Sequence, residues 1–273
     1  MKTKSVFTIL SMMVLLIACT TNPFTGKSTL ALVPNSQILP MAFQQYNQFL
    51  SENKVVKGTS DAQMIQNVGQ KIATASERWL NANGYQGYLK EYQWEYNLVE
   101  DEAVNAWCMP GGKIVFYTGI LPIANTEARV AAIMGHEVAH ALANHGQQRM
   151  SAGQLQQIGA VAGNIALAND PENQALFNTA YGVGSTVGVM LPFSRSHETE
   201  ADKIGLILMA IAGYDPAEAA ELWRRMQQNA GGAAPPEFLS THPASQTRIN
   251  NIMAWVEESK AEARKFGVTT FKK

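Results

Sequence analysis

The sequence predicts an α+β fold, mainly helical, with one small antiparallel sheet of about three strands packed beside a central helix. Three observations carry this. Apolar residues recur at helical spacing, most clearly at Ile65, Val68, Ile72, Ala75 and Trp79. Strand-like alternation is confined to one region, where Tyr92, Trp94, Tyr96 and Leu98 share a face. In Ile133–Leu142, with His counted as neutral, Glu137 is the only charged residue, which is too apolar for a helix lying on the surface.

The chain opens with Lys2 and Lys4, then an apolar run from Val6 to Ala18 broken by Thr8 and Ser11. This run is short for a bilayer span and suits the h-region of an export signal, so residues 1–18 are set apart from the fold. It ends Leu16-Ile17-Ala18-Cys19, which resembles the bacterial lipobox, in which the Cys is acylated and becomes the first mature residue. Cys19 is therefore the expected lipid anchor. Thr20 is not an acidic retention signal, which favours the outer membrane, facing the periplasm, in a Gram-negative cell envelope.

Residues 19–35, with Pro23, Gly26 and Pro34, read as a tether, and residues 36–273 as the folded domain. Ser36–Leu50 is expected to be helical. Asp61 is the expected cap of a helix to about Leu80. After Tyr92–Leu98, Ala103–Met109 and Ile114–Tyr117 complete the sheet, joined by a turn at Pro110-Gly111-Gly112. Asn125 or Thr126 caps the next helix, which is expected to run to about His145, with His145 on its solvated side. Met150–Ala168 is a helix of Ala, Gly and Gln. Tyr181–Met190 holds three glycines and suits either a mobile lid or weak packing. Helices at His197–Ala212 and Asp215–Gln228, a loop at Gly231–Pro243 and a helix from Ala244 to about Phe266 complete the chain.

Removing residues 1–18 leaves 255 of 273 residues, enough for one sizeable core, and a formal charge of −3 with 19 basic against 22 acidic residues. No basic stripe exists, so nucleic acid is not an expected partner. If Cys19 carries lipid, Cys108 is the only thiol left and no internal disulfide can form.

The chemistry is concentrated in His136-Glu137-Val138-Ala139-His140. Residues four apart on a helix share a face, so both imidazoles can aim at one point, the arrangement a zinc ion needs from one rigid element. Glu137 falls beside that point without being a ligand. A third ligand is offered by His197-Glu198-Thr199-Glu200-Ala201-Asp202. There Glu198 and Asp202 share a helical face, so that Glu198 can face zinc while Asp202 reaches a ligand His or the reacting amide; Glu200 should face away. Two His and a carboxylate leave a position open to water, as a catalytic zinc requires, whereas a structural zinc wants four ligands rich in Cys.

These motifs, followed by Thr241-His242-Pro243 and Arg248, resemble the M48 metallopeptidases, in their periplasmic lipoprotein and Oma1-like branch, over most of the chain from about Ser36. The resemblance implies a gluzincin-like zinc peptidase domain with one Zn2+. His136, His140 and Glu198 match the family's metal ligands, Glu137 its catalytic base, and Asp202 an acidic residue sometimes assigned as proton donor. Asn105-Ala106-Trp107 resembles the edge on which related peptidases hold substrate as an added strand, although for Trp107 sheet packing is the stronger reading. His242 and Arg248 match side chains that approach the cleft. His242 has three readings: stabilising the transition state, filling the open metal position in a resting state, or capping the last helix. The implied function is a zinc endopeptidase acting on unfolded or misassembled envelope proteins. The alternatives are a lipoprotein chaperone or assembly factor for outer-membrane proteins that binds in the cleft without cutting, and a zinc hydrolase of non-peptide bonds.

Overall fold

The structure, a computed structural model, describes residues 19–186, 190–229 and 237–273. The expected signal segment, and parts of the expected lid and of the loop before His242, lie outside the described residues. The chain divides into a larger unit, Leu39–Ala143 with Glu198–Lys273, and a smaller one, the described residues up to Ile38 with Asn144–His197.

In the larger unit most of the helix α1 (Asn35–Glu52) leads to a four-stranded sheet made of β3 (Val55–Val56), β4 (Glu95–Val99), β5 (Ala106–Met109) and β6 (Lys113–Tyr117). The helix α2 (Ser60–Ala82) presents the expected stripe, with Ile65, Val68, Ile72, Ala75 and Trp79 all buried. Its cap is Thr59, not Asp61: Thr59 is extended and its hydroxyl accepts from Ala62 N at 3.1 Å, which leaves Asp61 in the first turn, where its charge suits the helix dipole.

The sheet has the order β3-β4-β6-β5, and β4 pairs with β6 in parallel, Tyr96 opposite Ile114. It is thus mixed and four-stranded, where about three antiparallel strands were expected. The cause lies in residues 100–105. Asp101 N donates to Thr118 Oγ1 and Gly119 N to Asp101 O, so the chain crosses the end of β6 instead of turning back on β4. A β-carbon on Gly119 would collide with the Glu102 carbonyl, so this crossing needs glycine. The turn Pro110-Gly111-Gly112, with both glycines at positive φ, then folds β6 back between β4 and β5. The strand β5 is left at the sheet's edge.

The helix α3 (Glu127–Leu142) is capped by Thr126, whose hydroxyl accepts from Arg129 N, and most of its residues are buried, which accounts for its lack of charge. The Tyr92 and Tyr88 hydroxyls donate to its final carbonyls at Ala141 and Leu142. It stops short of His145 because Asn144 is left-handed at φ 57°, a conformation Asn tolerates better than most residues. The unit is completed by most of α6 (Leu191–Ile211), which starts earlier than expected, and by α7 (Ala217–Asn229), a short α8 (Glu237–Thr241) within the expected loop, and α9 (Gln246–Lys265). Ser245 caps α9, accepting from Arg248 N, so His242 is not that cap.

In the smaller unit, β1 (Cys19–Thr21) and β2 (Ser28–Leu30) form an antiparallel hairpin within the expected tether. An Asn22 side-chain bond to Phe24 N and a positive φ at Gly26 shape its turn. Beyond it, Leu32 N donates to Ser151 Oγ and Gln147 to the Val33 carbonyl, tying the hairpin's exit to the helix α4 (His145–Ala166). A second helix, α5 (Pro171–Ser185), includes Tyr181–Ser185 of the expected lid. His145 is fully buried, contrary to the expected solvated position. A new helix begins after Asn144, so the periodicity of α3 does not govern it, and its ring stacks on that of His197 with centroids 4.0 Å apart. Among the described residues, no helix is long and apolar enough to cross a membrane.

Candidate metal centre

Two helices of the larger unit are brought together by glycine. A β-carbon on Gly135 of α3 would stand 2.8 Å from the Gly205 carbonyl oxygen, and one on Gly205 of α6 would stand 2.9 Å from Gly135 C and His136 N. Backbones this close set His136, the next residue, against the part of α6 that carries Glu198 and Asp202. Neither glycine was singled out from the sequence; the available signal was an isolated Gly inside an apolar helix.

At this crossing His136 Nε2 and His140 Nε2 are 3.1 Å apart. Glu198 faces both, with Oε1 3.3 Å from His140 Nε2 and Oε2 3.4 Å from His136 Nε2. His242 brings Nδ1 to 2.9 Å from Glu198 Oε2 and 3.2 Å from His136 Nε2. Four ligands bound to zinc at roughly 2.0–2.1 Å in a tetrahedron stand about 3.3 Å from one another. The four donors fit that figure, and their nitrogen and oxygen chemistry suits zinc.

Around them lies an ordered second layer. His136 Nδ1 is 3.0 Å from Asp202 Oδ1. Arg248 donates to both Asp202 oxygens, Nε to Oδ2 at 2.8 Å and Nη2 to Oδ1 at 2.7 Å, and its Nη1 lies 3.2 Å from Glu198 Oε2. The guanidinium sits 3.6 Å from the centre of the Trp223 ring, a support the sequence reading had not picked out because an aromatic at helical spacing reads as core. Asp202 thus stands against His136, one of the two places expected for it. Arg248, expected to approach the cleft, links the two carboxylates Asp202 and Glu198. Glu200 lies outside the cluster.

The charges respond accordingly. Burial works against the Glu198 carboxylate, yet hydrogen bonds from His136, His140 and His242 hold it well below the usual range. Burial also opposes the charge on His136, but Asp202 and Glu198 outweigh it and push the imidazole up to about 9. Glu137 is the exception: burial pushes its carboxyl up. Its Oε1 is buried without a hydrogen bond, and His242 Nε2 stands 3.5 Å from it. A buried carboxyl beside the donor cluster, with its affinity for a proton raised by burial, is suited to taking one.

The edge strand β5 is paired on one side only. Tyr117 N donates to Asn105 O, so by the alternation of an antiparallel ladder Trp107 and Met109 also spend their backbone groups on β6. Ala106 and Cys108 turn theirs to the open side, and the Asn105 side chain accepts from Ala106 N. Trp107 packs edge-on against Phe49 and Tyr46, and the Trp107 indole donates to the Tyr117 hydroxyl; its side chain serves the sheet.

A model of peptidase family M48 matches residues 61–256. The mitochondrial metalloendopeptidase OMA1 of Schizosaccharomyces pombe is 35% identical over 178 residues, 64% of this chain and 50% of that protein. OMA1 of Saccharomyces cerevisiae is 34% identical over 203 residues, 71% of this chain and 56% of its own length. The β-barrel assembly-enhancing protease of Escherichia coli is 28% identical over 157 residues, 56% of this chain and 32% of that protein. The chain thus spans about half or less of the length of these relatives.

Proposed function

The chain belongs to peptidase family M48, and from that premise we propose that it is a zinc-dependent endopeptidase of the bacterial cell envelope, acting on unfolded or misassembled envelope proteins. The observation that carries this reading is the convergence of His136, His140 and Glu198 at zinc-ligand spacing beside the buried carboxyl of Glu137.

His136, His140 and Glu198 would hold the zinc, which would supply a Lewis acid and a water that ionises near neutral pH. Glu137 accepts a proton from the attacking water and returns it to the leaving amine. Asp202 keeps the proton of His136 on Nδ1 and leaves Nε2 free to ligate; Arg248 offsets the charge of both Asp202 and Glu198. Substrate backbone adds to the sheet through the Ala106 carbonyl and the backbone groups of Cys108, with the Ala106 N–H held by the Asn105 side chain, which puts an extended chain alongside α3.

A resting state follows from His242. Its Nδ1 takes a fourth donor position and its Nε2 stands over Glu137, so this conformation covers both the open metal site and the base. On this reading substrate displaces His242. His242→Ala then raises activity while leaving zinc affinity nearly unchanged; unchanged or abolished activity contradicts it.

The envelope setting is supported by the lipobox-like end of residues 16–19, with Cys19 as the acylated anchor in the outer membrane and 19–35 leading from it to the peptidase domain. The OMA1 relatives are named as mitochondrial, whereas the Escherichia coli relative is named for β-barrel assembly. The test is digestion of an unfolded, reduced protein by the purified chain. Cleavage is expected with zinc, lost on chelation, restored by zinc and absent in Glu137→Gln. If wild type cuts nothing and Glu137→Gln fulfils every cellular role, the chaperone reading replaces this one.

A further inference from the structure

The α4–α5 hairpin of the smaller unit is packed inside out for a water-soluble element. Its inner face combines small and amide residues with two aromatic rings, Phe177 and Tyr181, and carries few aliphatic side chains. Gly159 and Gly163 of α4 receive Tyr181 and Phe177 of α5 so closely that a β-carbon at either position would collide with the ring. Asn164 and Asn178 exchange side-chain hydrogen bonds at 2.8 and 3.0 Å, and Gln156 donates to Ser185 Oγ. The aliphatic residues point the other way: Ile158 is 61% exposed, Ile165 71%, Leu176 66% and Val183 62%, with Leu155 and Val161 beside them. In water such residues belong between the helices. In lipid the rule reverses, because tails solvate aliphatic side chains, and glycine contacts and amide bonds hold helices together.

Charge points the same way. No Asp, Glu, Lys, Arg or His occurs from Met150 to Asn169 or from Asn173 to Ser194. The acidic residues are at the turn, Asp170 and Glu172. We propose that the α4–α5 hairpin is a lipid-binding element that lies in the interfacial zone of a phospholipid bilayer, its exposed aliphatic residues among the acyl chains and its acidic turn at the headgroups. Neither helix is apolar enough to cross. Cys19 opens β1 of the same unit, so the anchor reading above, on which this point rests, delivers the hairpin to a bilayer. A peptidase seated this way meets chains at the membrane surface.

The test uses the chain from residue 19 onward with Cys19→Ser, so that no acyl group contributes, floated with phosphatidylcholine vesicles with and without phosphatidylglycerol. Wild type is expected to float with both, to the same extent in low and high salt, since no charge is used. The triple variant Ile158→Asn, Ile165→Asn, Val183→Asn is expected to lose about tenfold or more in partitioning, from the apolar surface removed. Its melting temperature and its hydrolysis of a soluble peptide should be unchanged. A wild type that does not float, a variant that floats equally well, or binding abolished by salt overturns the proposal. So does a wild-type dimer in sedimentation that the variant dissociates without any vesicle binding, which would assign the face to a second copy. Failure of the anchor reading shows separately, as an unacylated Cys19 in the mass of the cell-derived protein.

Discussion

His136 Nδ1 meets Asp202 Oδ1 at 3.0 Å, while both oxygens of that carboxylate are already held by Arg248. One buried acid therefore fixes the tautomer of a metal-facing imidazole and is itself fixed by a guanidinium resting on Trp223.

Asp202→Ala is expected to weaken zinc binding by about 10–100-fold, the usual effect of removing a carboxylate behind a ligating His. It also leaves Arg248 buried without its main partner, so Asp202→Asn should retain more stability than Asp202→Ala. Competition with a chelating dye for zinc, alongside thermal melting, separates the two effects.

Gly205→Ala is expected to destabilise the fold by about 1–3 kcal/mol, the range for overpacking, because its β-carbon meets backbone, not a side chain that can rotate away. The same change should weaken zinc binding by moving Glu198 away from His136. Gly153→Ala, in open space inside α4, should leave zinc binding alone and stabilise the fold by up to about 1 kcal/mol. Denaturant titration and zinc competition on the pair check this.

Glu127 gives a pH-dependent contribution. A hydrogen bond from Lys272, with smaller help from Tyr214 and Lys71, holds its carboxyl below the usual range. A carboxyl depressed in the folded state stabilises at a pH above its unfolded value, and that contribution is lost as pH falls through the folded value. Lys272→Met should therefore lower stability near neutral pH, with the deficit closing as pH drops below ~4. Melting temperatures across an acid series read it directly.

Cys108, although only half-buried, should react little in the native chain. Burial pushes its thiol up, and the nearby Glu137 charge adds to this. With Cys19→Ser in place, a disulfide reagent at mildly alkaline pH is expected to find almost no thiol until denaturant is added, and one equivalent afterwards.

The parts of this molecule legible in its sequence are those written locally. His136 and His140 are four residues apart on one helix, so their joint aim follows from helical geometry, as does the buried stripe from Ile65 to Trp79. The convergence of Glu198 and His242 on them depends on a tertiary crossing, and only the order of motifs hinted at it. The parallel pairing of β4 with β6 was hidden because it is decided by where residues 100–105 cross the sheet, and neither strand's composition records that. His145 was misplaced for a related reason: one left-handed residue, Asn144, ends the periodicity that had put it on the surface. The use of Arg248 on two carboxylates had no sequence signal.

Zinc K-edge X-ray absorption on the metal-loaded chain tests the central claim most directly. One zinc per chain is expected, in a single shell of nitrogen and oxygen at about 2.0–2.1 Å without sulfur, with one imidazole fewer in His242→Ala. Sulfur from Cys108 in that shell, or a stoichiometric zinc whose spectrum is untouched by His140→Ala and Glu198→Ala, would contradict the account.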